Sequence, residues 1–237
     1  MIKKIDYENM GKNKLSWLEA TYHFSFGDYH NPENMGFGAL RVLNDDIISG
    51  NRGFETHPHR DMEIVTYVVE GRLTHEDSMG NKGSIGKGQV QYMSAGTGVY
   101  HSEHNLEDQP IRTLQIWILP DKKGHTPDYG DYKFDWNARL NTWLHLISSK
   151  KGSAPIKMNQ DVNFYALELE SGKEIDLAVK DGRQAYLVQI EGVSIINQHI
   201  LNERDGMKIV EEDVKIKATK TSHILVIEMA KNSGKTH

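Results

Sequence analysis

Short runs in which apolar side chains alternate with polar ones, each closed by glycine, asparagine or proline, recur from one end of the chain to the other. Alternation with a period of two puts successive side chains on opposite faces of an extended segment, so each run predicts a half-buried strand. Such strands are predicted at Tyr22 to Phe26, Gly36 to Leu43, Arg72 to Glu76, Val90 to Ser94 and Thr113 to Leu119. Met62 to Val69 is instead a nearly continuous β-branched run, closed by Glu70-Gly71. Asn44-Asp45-Asp46, Ser78-Met79-Gly80-Asn81 and Gly96-Thr97-Gly98 read as turns. No long amphipathic helical pattern interrupts them, and regular short strands with glycine turns predict an all-β sandwich or barrel.

The pattern lapses once. Asp121 to Trp136 is rich in Asp, Lys, Gly and Tyr, has Pro127 within it and shows no period, so a connecting loop is expected there. Its rings, Tyr129, Tyr132, Phe134 and Trp136, are more aromatic surface than a solvated tether carries, which predicts a packed connection and one rigid body. Alternation then resumes at Thr142 to Ser148, Val162 to Leu169, Glu174 to Val179, Gln184 to Glu191, Ser194 to Leu201, Met207 to Val210 and His223 to Met229. Two all-β domains follow, residues 1–135 and 136–237. Glu63 to Gly71 resembles Arg183 to Gly192, an apolar strand ending in Glu-Gly in both, which makes an internal duplication plausible.

A chain of 237 residues is long enough for two such domains, each with a buried core. The 28 basic residues against 33 acidic ones, with no basic stripe, argue against direct nucleic-acid binding. The absence of cysteine removes disulfides, thiolate metal sites and thiol nucleophiles. Met1 to Ile5 lacks the apolar core of a signal peptide and no apolar run reaches membrane-spanning length, so a cytoplasmic, non-membrane protein is expected.

Two histidine-bearing pairs carry the candidate chemistry: His57-Pro58-His59 and His101-Ser102-Glu103. Residues two apart on a strand point the same way, so each pair can grip one ion together. Three imidazoles and a carboxylate suit iron, manganese, copper, nickel or zinc far better than calcium. Upstream of the repeated strand in the second half, Asp176, Ala178 and Lys180 stand where the first half has its histidines, so a metal is expected in the first half alone. His104 has the opposite face parity and is expected in a solvated or structural role. His23, His30 and His75 are read as surface or hydrogen-bonded residues that could line a pocket rim, Arg60 and Asp61 as a strand-surface ion pair before a support for the histidine pair they flank, and Met35, Met62, Met79 and Met93 as core filler that could furnish an apolar wall.

The segments HFSFGDYHNPENMGFGALRVLNDD, GFETHPHRDMEIVTYVVEG and GQVQYMSAGTGVYHSEHN together resemble the signature of the pirin family of two-domain cupins, densely over about residues 20 to 120. The resemblance implies two cupin barrels of jelly-roll type in tandem, the second without metal ligands. It places one divalent metal, Fe(II) before Mn, Cu, Ni, Co or Zn, on His57, His59, His101 and Glu103. The general cupin motif puts its ligand glutamate at Glu63, a role that pirin-like proteins pass to Glu103, leaving Glu63 a supporting strand residue. For bacterial members the resemblance implies ring-opening 2,3-dioxygenation of flavonols such as quercetin with O2, and Glu103 is then placed to take the substrate's enolic proton. For eukaryotic members it implies iron-dependent regulation through a protein partner, and other cupins act as metal-dependent isomerases or lyases. A monomer is expected.

Overall fold

A computed structural model describes residues 1–231. Strands are their dominant element, and the helical elements among them are two short 3-10 turns, Tyr7–Asn9 and Trp136–Arg139. In the first half a seven-stranded antiparallel sheet, with Ile111–Ile118 at its centre between Glu63–Glu70 and Leu40–Ile48, faces a four-stranded sheet in the order Arg52–His59, Val99–Asn105, Arg72–Asp77, Lys82–Gly86. The two sheets close a barrel whose deep end is filled by Leu18, Ala20, Val68, Leu73 and Ile85. In the second half the long strands Arg183–Ile196 and Val214–Ala230 pair over most of their length with three register shifts. Such irregularities bend a sheet. The single nine-stranded sheet wraps round an interior of Leu167, Leu187, Ile209, Ile216 and Val226.

The barrels lie back to back over a shared apolar core. Val65, Tyr67, Leu114 and Ile116 of the first half meet Phe164, Tyr186, Leu225 and Ile227 of the second in one cluster. This explains why Glu63–Glu70 shows no alternation: Val65, Tyr67 and Val69 face the shared core, Ile64, Thr66 and Val68 face the first barrel's interior, and both sets are buried. Glu63 sits at the seam with its carboxylate accepting from Tyr92, from Ser94 Oγ at 2.6 Å and from the Asn159 backbone N–H of the second half at 3.1 Å. It therefore supports the contact between the halves rather than the histidine pairs.

Several elements differ from expectation. Asn44, Asp45 and Asp46 form no turn but lie buried inside the nine-residue strand Leu40–Ile48. Turn propensity loses here because Arg112 on the neighbouring strand donates to both Asp45 oxygens, at 2.9 and 2.8 Å, and compensates the buried charge. The strand expected at Tyr22 to Phe26 lies earlier, at Leu18–Tyr22. Within the expected loop, Asp128–Tyr132 is a strand paired with Val90–Ser94. Its Tyr129 ring stacks on His75 at 4.7 Å, and the Trp136 ring meets His223 at 5.0 Å. At the chain's start Ile2–Ile5 pairs with Gly206–Val210 and so joins the second half's sheet. No helix among the described residues is long and apolar enough to cross a membrane.

Candidate metal centre

Arg52–His59 is the edge strand of the four-stranded sheet, where Pro58, lacking an N–H, costs no ladder bond on its open side. Its antiparallel partner Val99–Asn105 sets His101 opposite His57, and on its other flank Glu103 opposite His75. The register with Arg52–His59 slips between His101 and Glu103. Gly53 permits the close approach there, since a Cβ at that position would lie 2.3 Å from the Glu103 carbonyl oxygen and 2.6 Å from His104 Cα.

The three imidazoles expected to act together do converge. Ring centroids of His57, His59 and His101 lie 4.5 to 4.9 Å apart, and one ring nitrogen of each lies within 4.8 Å of the others. His57 Nδ1 lies 2.7 Å from the Glu55 carbonyl oxygen, which can only accept, so Nδ1 carries the proton and Nε2 offers a lone pair. That lone pair faces His101 Nε2 at 3.1 Å. Burial, with the neighbouring imidazoles adding to it, lowers the pKa of His59 to about 4 and of His101 to about 3, so both rings are neutral at neutral pH. Neutral imidazole nitrogens gathered at this separation are a donor set that a divalent cation can use. The donor set fits a metal on that ground.

Glu103 is buried at 2% exposure and is not part of that triple: it forms a second, overlapping one with His75 and His101. Its oxygens accept from Thr66 Oγ1 at 2.7 Å and from Gln115 Nε2 at 2.5 Å, both on the facing sheet. Each carboxylate oxygen keeps a further lone pair, so these bonds fix Glu103 without exhausting it. The four expected ligands thus occupy one interior, with His101 common to both groups. Trp117 meets His59 edge-on at 4.9 Å, and Met62, Trp117 and Tyr129 pack against a buried apolar cluster of Ile64, Met93 and Val99. Met93 is core filler as expected and Met62 packs partly buried against it, whereas Met35 and Met79 are exposed. Around the ligands several buried polar atoms have no partner among the described residues, namely Asn44 Oδ1, Asp46 Oδ1, Gln91 Oε1 and Trp117 Nε1. Buried polar atoms of this kind call for a bound molecule or water. Burial, with Asp45 and Glu103 nearby, pushes the Asp46 carboxyl well above the usual range.

The remaining candidates lie elsewhere. His104 turns outward, 3.4 Å from Glu55; His30 and Arg60 are exposed; Asp61 accepts from the Gly124 N–H at 2.7 Å rather than pairing with Arg60. His23 is buried at the seam, its Nδ1 2.9 Å from the Tyr186 hydroxyl. The sequence marks neither Thr66 nor Gln115 as a site residue, and His75, expected at most at a pocket rim, is a buried, hydrogen-bonded residue beside Glu103. Nothing local marks them, because their place beside Glu103 is set by pairings with strands distant in sequence.

Comparison with known proteins agrees with this architecture. The Pirin family model matches residues 5–118, and the model described as the quercetinase C-terminal cupin domain matches residues 145–229. A pirin-like protein of Caulobacter vibrioides is 40% identical over 232 residues, covering 97% of this chain and 100% of its own. The quercetin 2,3-dioxygenase of Escherichia coli K12 is 38% identical, covering 92% of this chain and 94% of its own. Among solved structures, the bacterial pirin YhhW of Escherichia coli in complex with nickel(II) superposes with a TM-score of 0.90 at 36% identity, over 98% of this chain and 100% of that one. With both barrels matched and the histidine cluster in the first, the chain belongs to the pirin family.

Proposed function

We propose that this protein is a flavonol dioxygenase acting on substrates such as quercetin by ring-opening 2,3-dioxygenation, with one divalent metal, Fe(II) in the cell, held by His57, His59, His101 and Glu103. The metal belongs to the first domain, residues 1–135, and the second, residues 136–237, carries none. The observation that carries the reading is the convergence of three imidazoles, with the His57 and His101 ring nitrogens 3.1 Å apart and Trp117 against His59. A metal held there would supply Lewis acidity toward a substrate enol and a redox-active centre for O2.

The chain's own residues supply the rest. The Trp117 indole, partly buried beside His59, and Met62 offer apolar surface suited to a planar aromatic substrate. Glu103 takes the enolic proton on one oxygen, while Thr66 and Gln115 keep the carboxylate aimed into the barrel. The apolar cluster beside the histidines limits water around the reacting groups. The names borne by the family's bacterial members support this choice of substrate.

The test is aerobic loss of quercetin's near-visible absorption band with matching oxygen uptake, using protein loaded with iron and stripped protein in parallel. Uptake that depends on metal and matches quercetin consumed supports the reading. Metal bound at one per chain with quercetin unchanged would overturn it, and turnover without oxygen would point to an isomerase or lyase instead.

A further inference from the structure

The two halves share a register as well as an architecture. Gly71 and Gly192 end matching apolar runs and adopt the same left-handed φ of 80°. Counted back from those glycines, Ile64 and Ala185 hold the same place, and they lie opposite Trp117 and Glu228 on the neighbouring strand of each half. Trp117 stands against His59 in the first barrel. The second barrel therefore has Glu228 in the place of Trp117 and Arg183 in the place of Met62, at the end that corresponds to the histidine cluster. A cavity of about 410 Å³ opens there, and Trp143, Tyr165, Leu177, Lys180, Arg183 and Glu228 are among its lining residues. Cavities of this size take small organic molecules.

Its walls are held in place by the fold. The Tyr165 ring stacks on His145 at 4.5 Å, His145 Nε2 lies 3.0 Å from Asn163 Oδ1, and Trp143 Nε1 donates to the Asp176 carbonyl at 3.0 Å. Arg183 donates to both Glu228 oxygens and, at 2.6 Å, to Asp161, while Asn163 Nδ2 donates to Glu228 at 2.8 Å. Both carboxylates are thereby engaged. Among the described residues, the groups without a partner here are donors: the Lys180 ammonium, the Tyr165 hydroxyl and the guanidinium N–H groups that Arg183 has not spent on these bonds. Burial, with Glu228 adding to it, raises the Tyr165 pKa, so the hydroxyl keeps its proton. An aromatic cation would find both carboxylates already paired, whereas an anion meets unspent donors beside two rings. The geometry points to a second binding site, in the barrel without the histidine cluster, for an aromatic carboxylate whose ring packs on Trp143 and Tyr165 and whose anionic end meets Lys180 and Arg183. This site does not depend on the proposed dioxygenase reaction.

The probe is 4-hydroxybenzoate, titrated into the full-length protein in the presence of zinc while backbone amide NMR shifts are followed, with 4-hydroxybenzamide as its neutral counterpart. Saturable shifts should cluster at Trp143, Tyr165 and the segment from Leu177 to Arg183. The acid should bind about fivefold more tightly than the amide, and Lys180→Gln, an exposed change, should roughly halve that preference. Trp143→Leu should weaken both probes by about three- to tenfold. Absence of shifts at millimolar probe, or shifts confined to the first half of the chain, would overturn the site. Equal binding of acid and amide, or a preference untouched by Lys180→Gln, would overturn the ligand class. Should Trp143→Leu not fold, the wild-type shift map and the Lys180→Gln comparison still decide.

Discussion

Replacing Glu103 by glutamine separates holding the metal from taking a proton. The amide keeps the size of the side chain and one carbonyl oxygen, and three imidazoles remain, so fold and weakened metal binding should survive. Turnover of an enolic substrate should fall by about two to four orders of magnitude, since glutamine has no basic oxygen. Near-normal steady-state turnover in Glu103→Gln would return the carboxylate to a purely structural part. His57→Ala, by contrast, should lose metal and activity together in element analysis and assay. Gly53→Ala tests the close strand approach: a methyl 2.3 Å from the Glu103 carbonyl must push the ligand strand away, so lowered metal affinity and a lower melting temperature should appear together. At this scale the two pairs could be read from the sequence because spacing on a single strand decides them. The overlap of Glu103 with His75 could not, because it depends on which strands lie side by side.

Between elements, the buried Asp45–Arg112 pair joins two strands of the first barrel, and Arg112 also donates to the Ile190 carbonyl of the second half at 3.0 Å. Arg112→Met would strand a buried carboxylate, at a cost of about 3–5 kcal/mol, which chemical denaturation can measure against Asp45→Asn/Arg112→Met, where much of the loss should be recovered. A loss below 1 kcal/mol for the single variant would mean that the pair is solvated. The same pair explains why Asn44-Asp45-Asp46 misleads a reader of the sequence: a local turn signal is overridden by a partner 67 residues away. The connecting segment was half legible. Its aromatic residues announced packing, as Tyr129 on His75 and Trp136 against His223 bear out, but its pairing as an edge strand carried no alternation to betray it. Limited proteolysis of native protein should therefore leave residues 122 to 139 uncut, and rapid cleavage there into two intact halves would contradict a packed connection.

For the whole molecule, tandem β barrels were legible because most strands carry their own period. Their back-to-back core was not, since no local pattern says which buried face meets which sheet. His23 sits in that seam, and burial lowers its pKa from 6.5 to about 4, with Asp45 and Asp205 opposing and Arg112 adding to the effect. The unfolded chain thus takes up a proton near pH 6.5 that the folded chain refuses until about pH 4. Stability from neutral His23 is complete above that window and declines as pH falls through it, by on the order of 3 kcal/mol. Denaturation of wild-type and His23→Gln protein between pH 7 and 4 should show a shallower slope in the variant, and parallel curves would refute the assignment. The central claim is one metal in the first barrel and none in the second. Anomalous diffraction at the metal's absorption edge, from crystals of protein purified without added metal, tests it most directly. The account predicts one peak per chain, about 2.0–2.2 Å from ring nitrogens of His57, His59 and His101 and from a Glu103 oxygen; a peak in the second barrel, or one held by His75 with His57 and His59 uninvolved, would contradict it.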